Sequence, residues 1–316
     1  MFQVRVVERR QEADGVVCLS LAPLPGKTLP SFEAGAHIDL DLGDGLIRQY
    51  SLCGDPAEAS VYRIGVLLPP QSRGGSARVH SHLVENAELP VSAPRNLFAL
   101  DETLDGYLLL AGGIGITPIL AMAWRLHALD KPFSLHYCAR SRAQAAFRAE
   151  LAAAPFAASV HFHFDDESEA PLDLRAALAG VRPARGLYVC GPAGFMDFAF
   201  ETALTSGWNA TELHREDFAN TTTVEDADRA FSIFVKSTGA EIVVPVGVTA
   251  AGALEEAGYF VPTSCEQGLC GSCLTPVVEG VPDHRDRFQT EEERSRNDQF
   301  TPCCSRAMTD SLVIDI

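Results

Sequence analysis

The run S-C-E-Q-G-L-C-G-S-C at residues 264–273 decides the fold of the C-terminal part of this chain. Its cysteines, Cys265, Cys270 and Cys273, follow the spacing C-x4-C-x2-C, and Cys303 lies thirty positions further on. This is the spacing of plant-type [2Fe–2S] proteins, in which four thiolates hold two irons. The sequence therefore predicts a [2Fe–2S] cluster on these four cysteines, and with it the transfer of single electrons.

A zinc site or a disulfide framework fits these cysteines less well. A structural zinc site prefers two C-x2-C pairs, and only one is present. A disulfide framework suits a small secreted chain, whereas this chain has 316 residues and no secretory apolar segment after Met1. Gly268 and Gly271 stand where the loop must turn tightly, which suits residues without a Cβ. Cys304 is an alternative fourth ligand, but Cys303 fits the spacing better.

Composition narrows the class of protein. The length suggests two or three domains, and the formal net charge of -17 argues against binding to nucleic acid. No apolar run reaches the ~20 residues of a membrane span, so we expect a cytoplasmic protein that is not membrane-bound. Acidic residues outnumber basic ones in residues 228–316. That excess could steer a basic redox partner or could serve solubility alone.

Three patterns divide the chain. Residues 1–102 contain short β-rich runs separated by Gly and Pro, which predicts a small antiparallel β-barrel. Residues 103–218 alternate buried strands with helices, including an Ala-rich helix over Ser141–Ala154, which predicts a doubly wound α/β domain. Residues 219–229 are polar and aperiodic, as in a linker. Residues 230–316 hold two strands, a helix and the cysteine loop, consistent with a β-grasp ferredoxin domain. The runs of the predicted barrel are Phe2–Val7, Val16–Leu21, His37–Leu42, Arg48–Leu52, Val61–Leu68 and Glu88–Ser92.

A glycine-rich turn in the second segment is typical of dinucleotide binding. The run A-G-G-I-G-I-T-P at residues 111–118 follows an apolar strand and opens a helix, whose first N–H groups favour a pyrophosphate. Gly115 and Thr117 are therefore predicted to lie against the phosphates, with Pro118 in the first helical turn. The Rossmann fingerprint is incomplete, because Pro118 stands where its third glycine would be.

A second turn strengthens this prediction. Y-V-C-G-P, at residues 188–192, ends another apolar strand. Ligands of open α/β sheets bind at the carboxyl ends of strands, so both turns should face one crevice. We expect Cys190, with Gly191 and Pro192 beside it, to contact a nicotinamide.

The first segment carries a candidate flavin site. In the run R-Q-Y-S at residues 48–51, Arg48 can bind a phosphate bidentately, Tyr50 can lie along an isoalloxazine, and the Ser51 hydroxyl can bond near its N5. The run R-G-G-S at residues 73–76 offers successive N–H groups for an anion at a helix start. A flavin is also required chemically, because a nicotinamide gives two electrons together and a [2Fe–2S] cluster accepts one.

Together these motifs resemble the phthalate dioxygenase reductase family of the ferredoxin–NADP reductase superfamily, a group that includes vanillate O-demethylase reductases. The resemblance covers the whole chain in the order flavin, nicotinamide, iron–sulfur. The stretches that carry it are residues 48–52 (R-Q-Y-S-L), 72–76 (S-R-G-G-S), 112–118 (G-G-I-G-I-T-P), 188–192 (Y-V-C-G-P), 265–273 (C-E-Q-G-L-C-G-S-C), 281–286 (V-P-D-H-R-D) and 302–305 (P-C-C-S).

The resemblance implies a monomeric, FMN-containing reductase that takes electrons from NADH and passes them singly to a terminal Rieske oxygenase, as in aromatic catabolism. It also implies roles by position, with Ser51 and Cys190 as the catalytic residues. The residues implied at the FMN are Arg48, Gln49, Tyr50, Ser51, Gly65, Val66, Gly74, Gly75, Ser76 and Phe218, with Arg48 and Ser76 on the phosphate. Those implied at NADH are Gly113, Gly115, Thr117, Pro118, Cys190, Gly191 and Pro192. Leu67 is a departure, because some members have a basic residue there.

Several alternatives stay open at this point. The protein could be an FAD-containing reductase of a non-Rieske oxygenase, as in the phenylacetyl-CoA epoxidase reductases, or a stand-alone redox sensor or binding module. NADPH is an alternative coenzyme, because Arg140 and Arg142 follow the second strand of the α/β domain and could meet a 2′-phosphate. Asp165 and Asp166 follow the third strand, and their place relative to the ribose is open.

Overall fold

The structure, a computed structural model, describes residues 1–58, 60–70, 74–167, 171–181, 184–218 and 228–316. The chain divides into two units, Met1–Asp217 and Phe218–Ile316. The predicted boundary at residues 102/103 falls inside the first unit and stays a prediction. Residues 219–227 of the predicted linker, and Ser72 and Arg73 of the S-R-G-G-S stretch, lie outside the described residues.

An antiparallel sheet forms the first part of the first unit. Its strands run in the order β4-β3-β6-β1-β2-β5, with β7 paired to β3. An antiparallel bridge between Leu52 and Ile64 links the two ends of the sheet, which closes it as a barrel. Apolar side chains from alternate positions fill the interior, as expected for strands with one buried face. The strands are β1 (Phe2–Ala13), β2 (Val16–Pro23), β3 (Ala36–Asp41), β4 (Ile47–Ser51), β5 (Tyr62–Leu67), β6 (Glu88–Val91) and β7 (Arg95–Asn96), and the one helix among the described residues here is α1 (Gly75–His82).

A parallel sheet of order β10-β9-β8-β11-β12 forms the rest of the first unit. Its central strand β8 is buried along its whole length, as an apolar run covered by helices on both faces must be. The strands are β8 (Gly106–Gly112), β9 (Phe133–Ala139), β10 (Val160–Phe164), β11 (Arg185–Cys190) and β12 (Leu213–Glu216). The helices are α2 (Ile116–Ala128), α3 (Arg148–Ala153), α4 (Leu174–Ala179) and α5 (Ala193–Thr205), with 3-10 turns at Gly113–Gly115, Arg142–Gln144, Ala157–Ser159 and Ala210–Glu212.

The barrel and the parallel sheet share one hydrophobic core. A single cluster of buried side chains joins Cys18 and Cys53 of the barrel to Ile116 and Leu120 of α2. Since burial of apolar area is the main stabilising contribution to folding, this shared core explains why residues 1–217 form one unit.

The prediction of a single Ala-rich helix over Ser141–Ala154 is wrong. The segment forms a 3-10 turn at Arg142–Gln144, and then Phe147 takes a left-handed conformation with φ 58° before α3 begins. Phe147 is fully buried, and its backbone N–H donates to Glu12 Oε1 of β1 at 2.9 Å. These tertiary contacts outweigh the helix propensity of alanine, which is small for each residue.

The second unit has a mixed sheet of order β14-β13-β19-β15-β17, in which β13 runs parallel to β19 and antiparallel to β14. No strand was predicted at β15, because it contains Pro276 and proline is uncommon inside sheets. The strands are β13 (Phe231–Val235), β14 (Ala240–Val244), β15 (Thr275–Glu279), β16 (Pro282–Asp283), β17 (Gln299–Phe300), β18 (Arg306–Ala307) and β19 (Ser311–Ile314), and the helices are α6 (Ala250–Glu256) and α7 (Glu291–Arg296).

Asp228 and Arg229 are the last two residues of the predicted linker, and both form ion pairs within the second unit. The buried Asp228 carboxylate pairs with Arg285 at 2.5 Å, and Arg229 pairs with Asp310 at 3.1 Å. Within the described ranges, no helix has both the length and the apolar character that crossing a membrane requires.

A glycine pair tests the packing of the barrel against the segment that follows β7. Gly35 has φ +91°, and a Cβ there would lie 2.0 Å from the Phe98 carbonyl oxygen. Gly26 has φ +76° with nothing within 4 Å. Gly35→Ala should lower the free energy of unfolding by about 3 kcal/mol or more, because strain and collision add, and Gly26→Ala by about 1–2 kcal/mol from strain alone. Equal losses in urea denaturation of the two variants would contradict this packing.

Candidate functional site

The four predicted ligand cysteines form two pairs. The Cys265 and Cys270 side chains are hydrogen-bonded to each other, and so are those of Cys273 and Cys303. The hydrogen bond with Cys265 is the main reason that the pKa of Cys270 is lowered, to about 5. A two-iron cluster takes two thiolates at each iron, so this arrangement of the residues fits a [2Fe–2S] group.

Backbone N–H groups surround the cysteine sulfurs. The N–H groups of Gln267 and Leu269 donate to Cys265 Sγ at 3.4 and 3.3 Å, and that of Ser272 donates to Cys270 Sγ at 3.4 Å. Such donors stabilise negative charge on sulfur and tune the potential of a cluster.

Two positions of the cysteine loop require glycine, because other parts of the second unit pack closely against them. Gly268 and Gly271 have φ of 67° and 69°, in the left-handed region. A Cβ on Gly268 would lie 2.4 Å from Cys304 Sγ, and one on Gly271 would lie 2.4 Å from the Phe288 ring. The tight turn was predicted, whereas the segment that packs against it was not.

The neighbours of Cys304 distinguish it from Cys303. The Cys304 sulfur lies 3.3 Å from Thr301 Oγ1 and 3.8 Å from Ser305 Oγ, on the side of the loop where Gly268 lacks a Cβ. Cys303, although also hydrogen-bonded to Cys304, is the residue that pairs with Cys273. This placement favours Cys303 as the fourth ligand, and the assignment stays a prediction.

Arg48 lies across the start of α1. A Cβ on Gly75 would be 2.5 Å from Arg48 Cγ and 3.0 Å from its Nε, so only glycine leaves room for the arginine. The preceding Gly74 has φ 92°, and the first turn of α1 contains no acidic side chain. A guanidinium beside the N–H groups of a helix start is a suitable site for a phosphate. Arg48, Gly74, Gly75 and Ser76 therefore fit the phosphate end of a flavin.

The residues implied at the flavin ring have various neighbours. Tyr50 packs against the barrel core, and burial raises its pKa to about 12. Gln49, the neighbour of Tyr50 on β4, points to the opposite face of the strand, where its amide nitrogen lies 3.3 Å from His37 Nε2. The Val66 carbonyl lies 2.9 Å from His80 Nε2 of α1. The structure thus places Gln49 on the opposite face of β4 from Tyr50.

Gly65 allows the barrel to approach the parallel sheet. A Cβ there would lie 2.9 Å from Thr117 Cγ2 and 3.0 Å from Phe147 Cε2. The resemblance implied a place beside the flavin ring, and the structure adds this close approach. Phe218, also implied at the ring, is the first residue of the second unit and is 37% exposed.

The two glycine-rich turns of the parallel sheet lie against each other. A Cβ on Gly115 would be 2.2 Å from the Cys190 carbonyl oxygen, and one on Gly112 would be 2.9 Å from Pro192 Cδ. A Cβ on Gly191 would be equally close to Gly112, at 2.9 Å from its Cα. Both turns stand at carboxyl ends of neighbouring parallel strands, β8 and β11, where open α/β sheets bind ligands.

Of the remaining residues predicted to bind the dinucleotide, one lies beside open space and two are buried. Gly113 has φ 55° and nothing within 4 Å of a Cβ, so the space beside it is open. Thr117 and Pro118 are buried in α2, and the Thr117 hydroxyl donates to the Ile114 carbonyl at 3.1 Å. That bond fixes the turn, which leaves backbone groups near Gly113 as the best placed for a pyrophosphate.

The structure joins the two predicted catalytic residues through a third. Ser51 Oγ donates to Glu216 Oε2 at 3.0 Å, and Cys190 is the register partner of Glu216 on the adjacent strand. Ser51 belongs to the barrel, whereas Cys190 and Glu216 end strands of the parallel sheet. The fold therefore collects a hydroxyl, a carboxyl and a thiol at one place, beside the glycine-rich turns.

Burial sets the protonation of this group. Desolvation raises the pKa of Glu216 to about 8, and the hydrogen bond from Ser51 opposes that rise. Burial also raises the pKa of the Cys190 thiol well above its usual value, and the Glu216 carboxylate adds to the effect. At neutral pH the thiol is therefore neutral, and Glu216 is mostly protonated. A titratable group so perturbed beside two glycine-rich turns marks a candidate functional site.

Glu216 is a candidate functional residue that was not predicted from the sequence. The run L-H-R-E-D at residues 213–217 has the pattern of a short strand with charged residues at its end. The available signal was a carboxylate at the carboxyl end of a strand next to the one that carries Cys190. Only the fold shows that Ser51, which is 165 positions away, reaches it.

Comparison with known proteins agrees with this geometry. Residues 233–308 match the family of 2Fe-2S iron-sulfur cluster binding domains. Over 317 residues, and over 100% of both chains, the chain is 48% identical to the vanillate O-demethylase oxidoreductase of Pseudomonas sp. (strain HR199 / DSM 7063). These similarities confirm the predicted [2Fe–2S] domain.

Two solved structures are similar along the whole chain. Phthalate dioxygenase reductase, described as a modular structure for electron transfer from pyridine nucleotides to [2Fe–2S], is 33% identical with a TM-score of 0.79, covering 100% of this chain and 98% of that one. An intact type IV self-sufficient cytochrome P450 monooxygenase is 36% identical with a TM-score of 0.82, covering 99% of this chain and 40% of that one. The chain thus spans less than half of the P450 protein. The predicted fold class of barrel, α/β and ferredoxin domains is confirmed.

The cysteine pairs predict different outcomes for two neighbouring substitutions. Cys303→Ser should abolish the cluster absorbance and the EPR signal of the reduced protein, because it removes a thiolate from the pair with Cys273. Cys304→Val should keep both, because a side chain of similar size retains the packing against Gly268. Retention of the cluster in Cys303→Ser with loss in Cys304→Val would reverse the assignment.

The buried carboxyl predicts a pH dependence of stability. In the unfolded chain a glutamate has a pKa of about 4.3, whereas that of Glu216 in the fold is about 8. Between these values the folded protein keeps a proton that the unfolded chain has lost, so stability falls as the pH rises and levels off above 8. Glu216→Gln should flatten this slope in urea denaturation at pH 5–9. Glu201→Gln, an exposed carboxylate on α5, is the control and should keep the slope of the unsubstituted protein.

Proposed function

The chain belongs to the phthalate dioxygenase reductase family, and on that basis we propose that it is the NADH-dependent reductase of a two-component oxygenase system. It takes electron pairs from NADH and delivers single electrons to a terminal oxygenase. The observation that carries this proposal is the meeting of Ser51, Glu216 and Cys190 in a chain that also supplies two cysteine pairs. Full-length relatives include a phenoxybenzoate dioxygenase subunit and the reductase subunit of phthalate 4,5-dioxygenase, at 41% and 37% identity.

The bound groups supply the redox chemistry, since a flavin accepts a hydride from NADH and a [2Fe–2S] cluster carries one electron at a time. The protein residues bind and orient them. Arg48 and the first N–H groups of α1 would hold the flavin phosphate, and the backbone at Gly113 would bind the pyrophosphate of NADH. FMN rather than FAD is our choice of flavin, and mass spectrometry of the released flavin tests it.

Ser51, Glu216 and Cys190 control protons at the reacting end. The neutral Cys190 thiol presents no charge that would repel or trap the nicotinamide. Glu216 Oε2 accepts the hydrogen bond of Ser51 Oγ, which fixes the direction of that hydroxyl. A carboxyl with a pKa near the working pH can both give and take a proton, so Glu216 can exchange protons through Ser51 Oγ. Ser51 and Cys190 are buried and Glu216 is half-buried, which limits the access of competing water.

The coenzyme is NADH rather than NADPH. Arg142, which could have met a 2′-phosphate, is instead engaged by both carboxylate oxygens of Glu167, with Nη2 and Oε2 2.7 Å apart. Its guanidinium also lies 4.9 Å above the Phe164 ring. An arginine already paired with a carboxylate has less attraction for phosphate, and NADH does not need one.

The terminal component of the proposed system is a Rieske oxygenase, and the reductase works as a monomer in the cytoplasm. All nine cysteines are free, as a reducing compartment requires. Size-exclusion chromatography and cell fractionation test the state and the compartment.

A second candidate partner follows from one specific similarity. The chain matches 40% of a self-sufficient cytochrome P450 monooxygenase with a TM-score of 0.82, as high as its match to phthalate dioxygenase reductase at 0.79. A separate P450 could therefore replace the Rieske oxygenase as acceptor. Turnover with a purified P450 and none with a Rieske oxygenase would favour this alternative.

Splitting the two half-reactions tests the proposed electron path. Cys270→Ser should lower NADH-driven reduction of cytochrome c at least tenfold, because cluster output is lost. Reduction of ferricyanide, which can draw electrons from the flavin directly, should stay within twofold of the unsubstituted protein. Equal loss of both activities would contradict the path, and an unsubstituted holoprotein without NADH-driven turnover would refute the reductase function. The same assay with NADPH should give a much lower kcat/KM.

A further inference from the structure

Phe260 is an exposed aromatic residue held in a fixed position next to the cluster loop. Its side chain is 85% exposed, the largest value among the exposed large apolar residues of the described chain, while Phe198 on α5 reaches 56%. Scattered exposed apolar residues are common on proteins, so exposure alone carries little. Phe260 differs from such residues in its anchored neighbours and in the carboxylates near it in the sequence.

The neighbours of Phe260 are anchored on both sides. Tyr259 donates its N–H to the Leu254 carbonyl at 2.9 Å, and its hydroxyl lies 2.7 Å from Thr238 Oγ1. Val261 is buried in the core of the second unit. The backbone on both sides of Phe260 is therefore held by the second unit, while the Phe260 ring itself is exposed to solvent. The fold itself does not require an aromatic side chain there.

Acidic residues stand on both sides of this ring in the sequence. Glu255 and Glu256 are exposed near the C-terminal end of α6, and Glu266 is exposed in the cluster loop. Carboxylates at a helix C-terminus oppose the helix dipole, so Glu255 and Glu256 weaken the helix rather than stabilise it. Within the described ranges neither forms an ion pair, so both charges are directed to solvent.

The cluster lies within reach of the same surface. Phe260 precedes Cys265 by five residues, which span at most about 18 Å of extended chain. A protein that covers Phe260 therefore also approaches the cluster loop. Binding hot spots are commonly buried aromatic anchors with a polar rim.

We propose that Phe260 is the docking anchor for the electron-accepting oxygenase, with Glu255 and Glu256 as an acidic rim. This inference rests on the proposed function. The oxygenase presents an apolar pocket for the ring, bordered by Lys or Arg side chains that match the carboxylates. The ring supplies affinity by its burial, and the carboxylates increase the rate of encounter.

The test uses the intact holo-reductase and, as acceptor, the oxygenase component of the vanillate O-demethylase of Pseudomonas sp. strain HR199. Phe260→Ala should raise the reductase concentration that half-saturates oxygenase turnover about tenfold or more. Phe198→Ala, which removes an exposed ring of the other unit, is the matched control and should change it less than twofold. Reduction of ferricyanide and of the protein's own cluster by NADH should be unchanged in both variants.

The charges are tested separately. Glu255→Gln combined with Glu256→Gln should slow association several-fold at low salt and weaken its dependence on ionic strength, with little effect on dissociation. If the half-saturating concentration of the Phe260→Ala variant stays within twofold of that of the unsubstituted reductase, the docking site is overturned while the proposed function stands. Slower reduction of the cluster in Phe260→Ala would also overturn it, because the ring would then serve transfer inside the protein. An unsubstituted reductase that drives no oxygenase would refute the proposed function, and the docking site with it.

Discussion

The close approach of β5 to the parallel sheet at Gly65 is the contact on which the first unit depends. Only hydrogen at this position lets the strand meet Thr117 and Phe147, since a Cβ would lie 2.9 Å from one and 3.0 Å from the other. The shared hydrophobic core forms around this contact. It also brings β4 near β12, so that Ser51 reaches Glu216. Packing at this glycine thus helps to determine where Ser51, Glu216 and Cys190 meet.

The meeting of these side chains has an energetic cost. A buried carboxylate without a cationic partner is unfavourable, and the raised pKa of Glu216 is the direct expression of that cost. One hydrogen bond from Ser51 offsets it in part. Cores that retain such groups commonly do so for function, because an apolar side chain of similar size would be more stable there. The cost of the site is tolerated because the shared core on either side of it is large.

Local patterns predicted most of the architecture but failed where distant contacts decide the outcome. The strand at Gly106–Gly112 could be predicted because all of its residues are buried in a continuous run. The barrel strands could be predicted because apolar residues at alternate positions fill the barrel interior. The Ala-rich segment after Ser141 did not become one helix, since Phe147 leaves the helical region to fill a gap beside Gly65. A strand through Pro276 was equally hidden, because its pairing with β17 and β19 is a property of the sheet.

The sequence by itself determined the redox groups, because metal ligands and phosphate-binding turns depend on short spacings that survive in any context. Four cysteines, two glycine-rich turns and one R-x-Y-S strand were enough to identify a cluster, a dinucleotide site and a flavin site. Only the tertiary structure decided which cysteines pair, that Cys304 lies behind the loop, and that Glu216 joins Ser51 to Cys190. These relations join residues far apart in the chain, and their chemistry comes from burial, which no local pattern records.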